Sequence, residues 1–197
     1  MGYPKIILLR HGETLWNREG RYQGQKDSPL TPKGEHQARE NAHKILKYIN
    51  NFDKLLIFSS PLGRAKSTAF ILCDELGIHR DRISFDKSIQ EFNFGIFEGK
   101  TKAFCQEHYA DVFNEREANK WFYEIEQGES YVKVAERLKS WLMQFNSKQT
   151  LLVIAHEMIN RILRGLYLGL STEETLTLRQ PNSVVFLLHE NREEIVT

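Results

Sequence analysis

Ile6, Ile7, Leu8 and Leu9 run without a break into Arg10, His11 and Gly12. Four consecutive apolar residues closed by polar ones read as a strand covered on both faces and ending in a loop. The pattern returns near the far end of the chain, where Thr150 to Ala155 forms a second buried run that stops at His156. Between them, Lys54 to Phe58 leads into Ser59, Ser60 and Pro61, and a short strand is expected from Ile83 to Phe85. Helices fill the intervals. Thr31 and Pro32 supply an N-cap and a first-turn residue for one running to about Ile49, and a second runs from Leu62 to Leu76, closed by Gly77. Val134, Leu138, Trp141, Leu142 and Phe145 keep helical offsets within Ser130 to Phe145. Ile159 to Leu168 is the next helix, stopped by Gly169, and Ser183 to Leu188 is read as the last strand.

This alternation predicts an α/β fold, a three-layer α/β/α sandwich with a mostly parallel central sheet. At 197 residues the chain fits a single domain spanning 1–197. Residues 101–127 are polar and aromatic and are expected to form irregular helices that cover something rather than a core layer, a lid over about 100–128. In such sheets ligands bind beyond the carboxyl ends of the strands. His11 and His156 each stand directly after a buried strand, so both can face one crevice.

Composition narrows the partners. The 27 Lys and Arg nearly balance the 26 Asp and Glu, so the overall field gives no reason to expect nucleic acid or a membrane surface. Any preference for anions must come from a local site. Cys73 and Cys105 are far apart in sequence, which suits neither a disulfide framework nor a thiolate metal site and favours a reducing, cytoplasmic setting. The apolar run ending at Leu9 is too short for a signal or membrane segment. Nothing in the sequence fixes the oligomeric state, which is open between monomer and homodimer.

Arg10, His11 and Gly12 together suit phosphoryl transfer. Arg can bind phosphate oxygens with a fork of donors, Gly lets backbone N–H groups approach an anion, and a neutral imidazole can attack phosphorus. Arg10, and later His156, would hold His11 neutral by like-charge repulsion.

A longer pattern surrounds these three residues. Leu9, Arg10, His11, Gly12, Glu13, Thr14, Trp16 and Asn17, then Gly24, Asp27, Leu30, Thr31 and Gly34, resemble the opening signature of the histidine phosphatase superfamily, the phosphoglycerate mutase-like family. Ser59, Ser60, Pro61, Leu62, Arg64, Ala65 and Thr68 resemble its second phosphate-binding segment, and Glu91, Phe94, Gly95, Glu98 and Gly99 its acid-bearing loop. Gly128, Glu129, Ser130 and Arg137 match a further block. The resemblance implies that His11 is the phosphorylated nucleophile and Glu91 the general acid. It places Arg10, Arg64 and His156 around the transferring group, and gives Asn17, Gln23 and Gly24 contacts to phosphate or substrate. It implies a small phosphate ester as substrate, no cofactor and no metal. Arg64, near the expected helix start, would bring a positive dipole end to the same site. Burial among residues such as Phe92 and Phe94 would keep Glu91 protonated.

Competing readings are kept beside these. Glu98 is more naturally a hydrogen-bonding loop residue than a second acid, and His36, His43, His79, His108 and His189 read as surface or satisfied histidines. The stretch from Lys102 to Gly128 is short and acidic, which favours a phosphatase over a mutase. Lys100, Lys102, Arg18 and Arg21 could still bind a second anion. A catalytically silent phospho-ligand binding module on the same fold is the rival of another class. One departure stands out: Glu157 follows His156 where the family commonly has Gly. Its carboxylate would either repel phosphate or point away at a helix start.

Overall fold

The computed structural model describes residues 2–49 and 51–196. In chain order the elements are β1 (Lys5–Arg10), α1 (Leu15–Arg18), α2 (Pro32–Ile45), β2 (Leu55–Ser59), α3 (Gly63–Glu75) and β3 (Ile83–Phe85). There follow α4 (Lys102–His108), α5 (Ala110–Ala118), α6 (Tyr131–Leu142), β4 (Thr150–Ala155), α7 (Glu157–Leu168), α8 (Thr172–Thr177), β5 (Val185–His189) and β6 (Arg192–Val196). They build one six-stranded sheet in the order β3-β2-β4-β1-β5-β6. The first four strands are mutually parallel, while β5 and β6 are antiparallel additions.

The unbroken apolar run of β1 is explained by cover on both faces. Ile6 and Leu8 point into one core with Leu138 and Trp141 of α6 and Ile159 and Ile162 of α7. Ile7 and Leu9 point into the other, with Ala42 and Ile45 of α2 and Ala69 and Leu72 of α3. A register slip of one residue in β1 would exchange these two sets.

Three expectations change. Ser183 to Leu188 is not the last strand: β5 turns at Glu190 (φ +50°) and Asn191 (φ +56°) into β6. Two consecutive positive φ values are the tight hairpin geometry that matches strand twist. β6 was hidden because Arg192, Glu193 and Glu194 are the charged residues that protect a sheet edge. Second, the 101–127 stretch does supply core, since Cys105, Phe113 and Ile125 are buried with the α6–α7 cluster. Third, α8 goes unread in the sequence because only Thr175 is buried; a capping box between Ser171 and Glu174 starts it. Among the described residues, no helix is long and apolar enough to cross a membrane.

Candidate active site

Adjacent parallel strands β1 and β4 deliver His11 and His156 to the same edge of the sheet, with the His11 N–H donating to the Ala155 carbonyl at 3.0 Å. Their ring centroids lie 5.2 Å apart. A cavity of about 240 Å³ opens there, lined by Arg10, His11, Asn17, Gln23, Gly24, Arg64 and Glu91 among others. His156 is fully buried next to His11 and is not part of the lining. Seven of the eight residues singled out in the sequence therefore share this cavity wall, and the eighth adjoins it.

The His11 ring is fixed at both nitrogens. Nδ1 lies 2.7 Å from the Gly12 carbonyl oxygen, an acceptor only, so Nδ1 carries the proton and Nε2 keeps its lone pair. Arg64 Nε–H donates to that lone pair at 3.2 Å. The imidazole is held neutral, its pKa well below the ordinary value, by burial first, then by Arg64 and Arg10. The expected repulsion is thus secondary to desolvation, and Arg64 rather than His156 is its main source.

Arg64 is 2% exposed and heavily engaged. Nη1 donates to the Lys26 carbonyl at 2.8 Å and Asp27 Oδ1 at 3.1 Å, and Nη2 to the Gly24 carbonyl at 2.7 Å. With Nε on His11, four of its five N–H groups are committed, so the side chain is aimed but has few free donors. Asp27 Oδ1 also accepts the Arg64 backbone N–H at 3.2 Å, and a Cβ on Gly63 would meet Asp27 Oδ2 at 2.3 Å. The α3 N-terminus is therefore covered by the chain's own carboxylate and is not the open dipole end expected from the sequence.

Gly12 is corrected as well. Its N–H donates to Thr68 Oγ1 at 3.1 Å, and an added Cβ would sit 2.1 Å from the Gly34 carbonyl oxygen in α2. The residue is glycine because α2 packs against the loop, not to expose an amide to an anion. Gly24, at φ +54°, has similar grounds: a Cβ there would collide with Glu98 Oε1. Asn17 caps α1, with Oδ1 accepting the Thr14 N–H at 3.1 Å, which leaves its amide NH₂ for the cavity. Gln23 Oε1 is buried without a partner.

Glu91 is buried, and burial pushes its carboxyl pKa up, against Arg64, the Phe92 N–H and Arg10, with Glu157 adding to the rise. Its loop is braced from outside. Arg137 donates to the Ser88 and Gln90 carbonyls at 2.6 and 2.9 Å, and Glu129 Oε2 accepts the Asn93 N–H at 2.8 Å. Glu98 is the hydrogen-bonding residue it was read to be, accepting the N–H groups of Gln25, Lys26 and Phe94. It ties the 23–27 loop to the acid loop.

One role went unread and one reading changes. Ser60, placed in the sequence only within the phosphate-binding segment, hydrogen-bonds His156 Nε2 through its Oγ at 2.7 Å. Glu157 neither stands bare nor points away. It lines the cavity, with Oε2 accepting from Arg10 Nη1 at 2.7 Å and Oε1 from Arg161 Nη2 at 3.2 Å.

The model of the histidine phosphatase superfamily, branch 1, matches residues 6–196. The chain is 32% identical over 182 residues to the 2-carboxy-D-arabinitol-1-phosphatase of Triticum aestivum, covering 90% of this chain and 35% of that protein. It is 31% identical over 185 residues to the 6-phosphofructo-2-kinase/fructose-2,6-bisphosphatase 1 of Rattus norvegicus, covering 93% and 36%. It thus spans about a third of the length of these relatives. The crystal structure of the alpha-ribazole phosphatase from Shigella flexneri matches with a TM-score of 0.79 at 22% identity, covering 97% of this chain and 94% of that one. At that identity the likeness is one of fold.

Proposed function

The chain belongs to the histidine phosphatase superfamily, branch 1, and from that premise we propose that it hydrolyses a small organic phosphate through a phosphohistidine on His11. The observation that carries this reading is the proton arrangement of His11: Nδ1–H on the Gly12 carbonyl, Nε2 unprotonated in the cavity. A buried imidazole that is unprotonated at Nε2, where the lone pair accepts from Arg64 until the ester takes its place, suits nucleophilic attack, not mere anion binding. Nε2 attacks phosphorus, the P–O bond to the leaving group breaks, and Glu91, favoured in its protonated form by burial, gives the departing oxygen its proton. Water then attacks the phosphohistidine, Glu91 takes up a proton, and inorganic phosphate and neutral His11 are restored. Arg10 and Arg64 offset the charge that spreads over the equatorial oxygens. His156 Nδ1, buried without a partner, is the spare group of the second histidine for the same oxygens. Every step uses the chain's own side chains.

Phosphate release from a panel of monoesters across pH 5 to 8, with EDTA present and His11→Ala as control, tests this reading. The expected result is chelator-resistant release that depends on His11, with acid-labile, base-stable label on the protein after rapid quench of a radiolabelled ester. Release without such label would remove the phosphohistidine. Transfer to an added phosphoglycerate in place of water would move the assignment to the mutase type.

A further inference from the structure

The loop that carries Glu91 is held along its length by one helix, α6, and the residue before its N-cap Ser130. Trp141 Nε1 donates to Asp86 Oδ2 at 2.9 Å, just past β3. Arg137 Nη1 donates to the Ser88 carbonyl at 2.6 Å, and its Nη2 to the Gln90 carbonyl at 2.9 Å and to Glu129 Oε2 at 3.3 Å. Glu129 closes the series beyond Glu91. Its Oε2 accepts the Asn93 N–H at 2.8 Å, and its own N–H donates to the Asn93 carbonyl at 3.0 Å. Val134, Leu138 and Trp141 of the same helix pack in the core that holds Ile6 and Leu8 of β1. The strand that leads to His11 and the loop that carries Glu91 are therefore seated on one rigid element.

These ties bear on a single peptide group. The Gln90 carbonyl belongs to the peptide before Glu91, and the Asn93 N–H to the peptide after Phe92. Peptide groups are planar, so fixing these two leaves little freedom to the one between them, whose N–H is that of Phe92. That N–H donates to Glu91 Oε1 at 2.9 Å. An N–H only donates, so Oε1 serves as the acceptor and the acid proton is left to Oε2.

We infer that Arg137 and Glu129 are positioning residues for the general acid: they set the peptide whose N–H orients the Glu91 carboxyl, so that Oε2 presents its proton to the oxygen leaving phosphorus. The inference rests on the reading of Glu91 as the acid and names what aims it. Neither side chain lines the reaction cavity, so both act through Glu91 and not on the ester. As the P–O bond breaks, the proton passes from Oε2 to the leaving oxygen. The carboxylate left behind keeps its bond to the Phe92 N–H and is in place to take a proton from the water that follows. Holding a loop for stability alone does not account for the groups used. The side chains of Arg137 and Glu129 are 23% and 22% exposed, and ionised groups that give up most of their water lose free energy unless strong partners offset it. Both spend charge-assisted bonds, the stronger kind, on the two peptides that flank the one orienting the acid. A requirement on direction explains that choice, because a reacting group misplaced by about 1 Å can lose about a hundredfold in rate.

The test compares kcat/KM, which reports transfer to His11, over aryl and alkyl phosphates of rising leaving-group pKa. Glu91→Gln sets the reference, with a loss that grows along the series. Arg137→Ala and Glu129→Ala are each expected to lose about tenfold to a hundredfold on an alkyl phosphate and about threefold or less on a nitrophenyl ester, so the dependence on leaving group steepens. Arg137→Lys, which keeps the charge and can still reach one of the two carbonyls, should recover part of the loss. Placed in the Glu91→Gln background, the two alanine substitutions should cost little more on any ester, since an absent acid cannot be misaimed. Equal losses on every ester, or full losses that persist in Glu91→Gln, would mark a structural role and overturn the inference while the acid stands. If Arg137→Ala does not fold, Glu129→Ala and Arg137→Lys carry the same comparison. A Glu91→Gln loss that is equal on all esters removes the acid instead, and the positioning role with it, as does a wild-type chain that turns over no ester.

Discussion

The loop after β1 and the loop after β4 begin alike and end differently. Each opens with a histidine at the same edge of the sheet, each ring is buried, and each imidazole is held neutral by burial first and Arg64 second. The contrast lies in the hydrogen-bond partner. His11 Nδ1 faces a main-chain carbonyl, which can only accept, so the tautomer is determined and Nε2 is the nitrogen left for the proposed nucleophilic attack. His156 Nε2 faces Ser60 Oγ, which can give or take a proton, and its Nδ1 has no partner. Burial and field neutralise an imidazole; an obligate acceptor on the far nitrogen is what directs its remaining lone pair.

The largest test of that contrast is to remove each ring. His11→Ala should abolish phosphate release, by at least about ten-thousandfold, as loss of a nucleophile does. Comparable residual activity in both histidine variants would mean that the two loops are equivalent and the tautomer argument is wrong. Glu91→Gln comes next, with a loss of roughly a hundredfold to ten-thousandfold on alkyl phosphates and less on a nitrophenyl ester, whose leaving group needs little protonation. The same variant has a stability signature. The fold raises the Glu91 pKa above its ordinary 4.5, so the folded chain holds that proton more tightly than the unfolded one. Stability from this group is then full below pH 4.5 and lost as pH rises through the folded value. Thermal unfolding should show Glu91→Gln gaining on the wild type at pH 8 relative to pH 5.

Much of this was legible in the sequence because the informative residues are short-range. Apolar runs fixed β1 and β4 as doubly covered strands, and caps and glycines such as Thr31 and Gly169 bounded the helices. The ordered motif residues brought Arg10, His11, Asn17, Gln23, Gly24, Arg64 and Glu91 to one cavity. What escaped depends on where long polar side chains turn. Asp27 covers the α3 N-terminus from 36 residues away in sequence, and no local pattern marks that. Arg116 and Arg161 are charged residues on helices, for which exposure is the ordinary expectation, and only packing reveals them buried. β6 has a strand's backbone and a surface segment's composition, so the pattern that finds buried strands passes over it.

His156→Ala should sit well below the two leading effects, at about a hundredfold, the scale of one donor lost from a charged transition state. His11 should still take up label from a radioactive ester, more slowly. Ser60→Ala, which frees the His156 ring without removing it, is expected to cost about tenfold or less. If Ser60→Ala instead matched His156→Ala, the ring would act only when oriented by that hydroxyl, and the second loop would depend on a fixed tautomer as the first does.

The smallest expected effect concerns Asp27, which links the two loops through Arg64. Asp27→Ala removes an acceptor from the Arg64 backbone and side chain at the start of α3. Loss of such a cap costs about 1 kcal/mol, or a fall in Tm of about 2–4 °C for a chain of this size. The carbonyls of Gly24 and Lys26 still hold the guanidinium, so turnover at neutral pH should fall only a few-fold. The pH profile is the sharper reading. Arg64 is the main charge keeping the His11 imidazolium from forming, and a guanidinium held by two carbonyls without the carboxylate can shift further from the ring and disfavour it less. The His11 pKa should therefore rise, and the acid limb of activity should shift to higher pH. An unmoved acid limb would mean that burial alone keeps His11 neutral, and that Arg64 serves the first loop only by its bond to Nε2.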